Sequence, residues 1–118
     1  MEMVTTVLIV IVALLHIYFL VLEMFLWDKP FGRKTFGLTV EFAKESKALA
    51  ANQGLYNGFL VAGLIWGLML GEVGVSIKIF FLSCVVIAGI YGGFTVGRKI
   101  LFIQALPAAI ALALVLFG

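Results

Sequence analysis

The stretch VTTVLIVIVALLHIYFLVLEMFLW, residues 4–27, carries only two side chains that can be charged near neutral pH, His16 and Glu23, in an otherwise apolar run. About 20 residues suffice to cross a hydrocarbon core as a helix. Backbone left open in lipid finds no water, so a run this apolar must pair its own N–H and C=O groups, and the alternation of a barrel strand is absent. Residues Met1 to Thr6 hold no Lys or Arg. The apolar run also exceeds the roughly 7–15 residues of a signal-peptide core, so the segment is expected to stay in the mature protein.

Three further apolar stretches follow, at about residues 48–70, 77–96 and 100–117, and little chain lies outside them. The expected fold is therefore all-α, a single domain over residues 1–118 forming an integral membrane four-helix bundle. Composition agrees. Of the 118 residues 64% are hydrophobic and 12% charged, against roughly 45–50% and about 25% in an ordinary soluble chain. A cytosolic enzyme and a nucleic-acid-binding domain are excluded, and so is a disulfide scaffold, since Cys84 is the single cysteine. A net charge of +2 is too small to imply a polyanionic partner.

The basic residues instead set the orientation. Lys29, Arg33, Lys34, Lys44 and Lys47 lie between the first two stretches, and Arg98 and Lys99 between the last two. The opposite side offers only Lys78. By the positive-inside rule both termini face away from the cytoplasm of a bacterial inner membrane, and Trp27 marks the cytoplasmic interface.

Within the first loop, Asp28 to Gly32 read as a turn, and Thr39 can cap a second helix extended from about residue 39, with Glu41, Lys44, Glu45 and Lys47 on its solvated end. Glycines recur every four residues at Gly54 and Gly58, at Gly63, Gly67 and Gly71, and at Gly89, Gly93 and Gly97. Such spacing lets helix backbones approach closely, within one bundle or between the subunits of a homo-oligomer.

Polar groups inside apolar helices are costly and mark candidate sites. His16 and Glu23 share a helix face but differ by about 10.5 Å in height, so each needs a partner elsewhere. For the same reason they do not converge on a metal ion, and no metal-ligand spacing exists in the chain. At about 1.5 Å per residue, Glu23 lies about 7 Å below Trp27, Asn52 and Gln53 about 6–8 Å into the second helix, and Tyr56 and Asn57 about 12–14 Å into it. Tyr91 and Gln104 fall about 8 Å and 6 Å from the same boundary. These residues form one cytoplasmic layer, with His16 nearer the midplane. The layer reads as a polar cavity, although Asn, Gln and Tyr also serve to hydrogen-bond helices together.

His16 to Phe19 with Glu23 to Trp27, Leu49 to Gly58 (LAANQGLYNG), Ala88 to Gly92 and Arg98 to Leu101 resemble the bacterial integral-membrane family known as domain of unknown function 1304. The resemblance covers nearly the whole chain and implies a small four-helix inner-membrane protein without implying an activity. Gln53 to Asn57 is also similar in spacing to the second-helix motif of the membrane-associated eicosanoid and glutathione metabolism proteins. Gly97-Arg98 is similar to the start of their fourth helix, which adds Arg98 to the ligand-binding candidates. That resemblance implies a trimer with a cavity on the cytoplasmic side. Tyr56 stands where those proteins carry an acid and no Arg flanks Gln53, so glutathione chemistry does not transfer and no cofactor is specified.

Three function classes remain open. In a membrane enzyme acting on a lipophilic small molecule, Glu23 is the general acid or base, Tyr56 or Tyr91 donates a proton, and Asn52, Gln53, Asn57 and Gln104 orient substrate. In a small proton-coupled carrier, His16 and Glu23 are steps of a proton path. In an accessory subunit, the polar layer packs a partner helix.

Overall fold

The computed structural model describes residues 2–118. They are helical almost throughout, with no strand among them. Helix α1 spans Glu2–Met24, α2 Pro30–Phe36, α3 Val40–Met69 and α4 Val75–Thr95, the last two joined through a 3₁₀ turn at Gly71–Gly74. Helix α5 runs over Arg98–Phe117. Three segments, Glu2–Met24, Gly71–Thr95 and Arg98–Phe117, are long and apolar enough to cross a membrane. At 30 residues α3 has the length, but Asn52, Gln53 and Asn57 dilute its apolar half.

The chain divides into two compact units, one comprising the described residues up to Leu15 with Leu60–Gly118, the other His16–Phe59. In the first unit Ile9, Val12 and Ala13 of α1, Val61 and Leu64 of α3, Leu82 and Val85 of α4, and Ala108 and Ala111 of α5 form one buried apolar core. Alanines on α5 and glycine on α4 let those two helices approach. A Cβ on Gly89 would sit 2.6 Å from the Ala105 backbone nitrogen, a contact no side chain can occupy.

Helix α5 is not regular. Leu101–Ala105 is wound as a π turn, and the Leu106 N–H donates to the Leu101 carbonyl, five residues back. Pro107 is the physical reason. A proline within a helix lacks an N–H and its ring strikes the carbonyl four residues earlier, so a wider turn just before it relieves the clash.

The second unit begins with the lower part of α1 and returns through α2 into α3. Where the sequence reads as a turn, Asp28 to Gly32, the structure starts a helix at Pro30. Proline suits both settings, because its fixed φ and missing N–H fit the first position of a helix as well as a turn. Helix α2 ends at Gly37, whose φ of 66° is left-handed, and Leu38 N–H closes the end on the Arg33 carbonyl at 2.8 Å. Helix α3 opens with the Thr39 hydroxyl accepting the Phe42 N–H at 3.1 Å, which satisfies one donor the helix end leaves free.

Candidate functional site

The polar groups of the His16–Phe59 unit are positioned by a cap and a clamp. In the cap, Trp27 Nε1 donates to Ser46 Oγ at 2.9 Å, and Ser46 donates in turn to the Phe42 carbonyl at 2.6 Å. The Trp27 and Phe36 rings lie 5.0 Å apart. Asp28 pairs with Lys47 at 3.1 Å, and the hydrogen bond from that ammonium holds the Asp28 carboxyl below the usual carboxylate range. These contacts tie the end of α1 and the short α2 to the first turns of α3.

The clamp sits below the cap. Asn57 is buried, at 4% exposure, and its Nδ2 donates to Glu23 Oε1 at 2.5 Å. Glu23 itself is half-buried, so Asn57 fixes one carboxylate oxygen while the group keeps an accessible face. The meeting is possible because α3 presents small residues here. A Cβ on Gly54 would lie 2.5 Å from Met24 Cγ, 3.2 Å from Glu23 Cβ and 3.3 Å from the Leu20 carbonyl oxygen. On α3 the buried residues of this unit are Ala43, Ala50, Gly54 and Asn57, whose spacing of seven, four and three keeps them on one face.

His16 is fully buried. Its ring meets Phe19 edge-on at 5.8 Å. The remaining second-helix candidates turn away, with Asn52 and Gln53 exposed and Tyr56 at 53% exposure. Tyr91, Arg98 and Gln104 belong to the other unit. Tyr91 and Arg98 are exposed there, and Gln104 is half-buried in the π turn of α5. The structure thus brings together Glu23 and Asn57 among the sequence-selected residues. It also shows an atom the sequence reading passed over. Arg33, read as a topology signal alone, has a buried Nε without a hydrogen-bond partner.

Carboxylate and amide in this arrangement can hold and exchange a proton at the free Glu23 oxygen. Among the described residues no group of three or more His, Cys, Asp or Glu side chains could hold a metal ion.

The family model described as "Protein of unknown function (DUF1304)" matches residues 10–116. The chain belongs to the DUF1304 family. A relative, "Uncharacterized protein YpaA" of Lactococcus lactis subsp. lactis (strain IL1403), is 30% identical over 114 residues, covering 95% of this chain and 96% of the relative. No solved structure matches this DUF1304 chain. The match takes in His16, Glu23, Asn57 and the π turn of α5 within one family segment.

Proposed function

We propose that this DUF1304 chain is a multipass protein of the bacterial inner membrane that binds a lipophilic small molecule near the cytoplasmic face and acts on it by proton transfer. In this reading α1, α3, α4 and α5 are the four spans of one bundle with both termini on the non-cytoplasmic side, and Glu23 is the general acid or base. The observation that carries it is the Glu23 carboxylate, set in an apolar helix and held by the buried Asn57 amide. An ionisable group in such a helix is expensive and is retained where its proton is used. A hydrogen bond between helices alone would be served by a neutral amide at lower cost. Tyr56 and Tyr91 as phenolic proton donors, and Asn52, Gln53 and Gln104 as orienting groups, stand in this reading as sequence candidates alone, since Asn52, Gln53 and Tyr56 are exposed on the part of α3 turned from Glu23. A homo-oligomer, a trimer by the second resemblance, would cover the exposed Asn52, Gln53 and Tyr56.

Replacing Glu23 by Gln keeps size and hydrogen-bonding capacity while removing the titrating group. The expected result is a variant that folds as well as wild type in detergent yet fails to complement a deletion strain. A stable, fully complementing Glu23→Gln overturns the reading in favour of an accessory subunit, which the outward-facing Asn52, Gln53 and Tyr56 support as a surface for a partner helix.

A further inference from the structure

A second feature lies in the other unit and is independent of Glu23. Between α4 and the first turns of α5 runs a groove of about 500 Å³, lined by Ile90, Gly93, Phe94, Arg98, Leu101 and Phe102. Its volume lies in the range of small-molecule sites, about 300–1,000 Å³. Five of the six lining residues have no charge. The sixth, Arg98, is at the first position of α5, next to the exposed Lys99.

The charge on this end has no answer within its unit. Arg98 makes no ion pair among the described residues, and the only side-chain carboxylates of the unit are Glu2 and Glu72. Those two line a different pocket with Lys78, beside the 3₁₀ turn that precedes α4. Helix α4 has 21 residues and is therefore about 31 Å long, so Arg98 lies about a hydrocarbon thickness from Glu72. An apolar groove ending on the unanswered Arg98 cation is complementary to a molecule with an anionic head and a hydrocarbon tail. Basic pockets between membrane helices bind lipid headgroups in this way.

We propose that the α4–α5 groove is a binding site for an anionic phospholipid, with the headgroup phosphate on the Arg98 guanidinium and an acyl chain along Ile90, Phe94, Leu101 and Phe102. Arginine suits the role because its planar fork offers two parallel donors to phosphate oxygens. Gly93 lets α4 and α5 close together at the floor of the groove, since a Cβ there would lie 2.9 Å from Leu101 Cβ.

The test uses the full chain purified in neutral detergent, mixed with phosphatidylglycerol or phosphatidylcholine of identical acyl chains, with retained lipid counted by native mass spectrometry. Wild type should retain phosphatidylglycerol about fivefold over phosphatidylcholine, the preference expected of one cation near an anionic headgroup. Arg98→Gln, at an exposed position, should fold normally and hold the two lipids equally. Phe102→Ala should lower retention of both lipids and keep the preference, and millimolar inorganic phosphate should displace neither. Equal retention by wild type, an unchanged preference in a folded Arg98→Gln, or displacement by inorganic phosphate alone would overturn the proposal, the last pointing to a free-phosphate site.

Discussion

The Asn57–Glu23 hydrogen bond makes a quantitative prediction that a double-mutant cycle can read. Asn57→Leu removes the donor while keeping bulk, and leaves the Glu23 carboxylate facing α3 without a partner. Glu23→Leu removes the acceptor and strands a buried amide. In water-soluble proteins a hydrogen bond to a charged group contributes about 1.5–3 kcal/mol. Between membrane helices the measured range is lower, about 0.6 kcal/mol on average and up to about 1.7, because the separated helices find other partners. The second range governs here, since both residues sit in helices whose unfolded reference remains in the micelle. The coupling energy between the two substitutions should therefore be about 0.6–1.7 kcal/mol, a factor of about 3–18 in the unfolding equilibrium. Gly54 sharpens the expectation, because α1 and α3 approach closely there, with no room for a Cβ beside Met24 and Glu23. Reversible unfolding in mixed detergent micelles gives the four stabilities. Asn52→Leu with Glu23→Leu is the control, since Asn52 is exposed and non-contacting pairs add within about 0.3–0.5 kcal/mol. Coupling at Asn57 no larger than at Asn52 would refute the clamp.

Orientation and pH give two more tests. A phosphatase fused after Gly118 should be active in a bacterial host and a fluorescent protein fused there dark; the reverse pattern would invert the proposed topology. The Asp28–Lys47 pair should make stability fall in acid. Its folded-state pKa is depressed by the Lys47 hydrogen bond, so its contribution is full above the unfolded value of about 3.9 and is lost as pH falls from there through the folded value. Asp28→Asn should remove that part of the pH dependence, modestly and in a salt-sensitive way because the pair is surface-exposed; identical slopes between pH 6 and pH 2.5 would contradict the pairing.

The helical nature of the chain and its long apolar segments were legible because lipid leaves apolar backbone no alternative to helix. Partner choice within the polar layer was less so. Asn52, Gln53, Tyr56 and Asn57 lie within about 7.5 Å of one another along α3, and which of them meets Glu23 depends on the rotation of α3 about its axis as well as on height. A signal for that rotation was present: Asn57 follows Gly54 by three residues and precedes Gly58 by one, so it belongs to the small-residue face that packs closest. At about 100° per residue Asn52 and Tyr56 lie about 160° from Gly54, on the far side. Helix α2 was hidden because proline followed by a nearby glycine reads as a turn. The π turn of α5 was hidden for another reason. It joins the local effect of Pro107 to a close packing of Ala105 on Gly89 that one sequence does not display.

Depth decides which polar residues need a functional explanation. Helix α3 has 30 residues and is about 45 Å long, some 15 Å more than a hydrocarbon core of about 30 Å. If Met69 marks the outer boundary in the proposed topology, the inner boundary falls near Ala50. Asn52 and Gln53 then lie only about 3–5 Å beneath it, within reach of interfacial water, and the Tyr56 phenol is suited to the same zone. Their exposure costs little. Asn57 is about 10 Å deep and buried, and there its amide would be expensive without the Glu23 oxygen it holds. The pairing explains Asn57 but leaves Glu23 over-specified, because a glutamine at that position could accept the same hydrogen bond from Asn57 without placing an acid in an apolar helix. What glutamine cannot do is take up and release a proton. In the proposed function the weight therefore rests on the second carboxylate oxygen of Glu23, the atom that Asn57 leaves free and that Glu23→Gln replaces with an amide nitrogen.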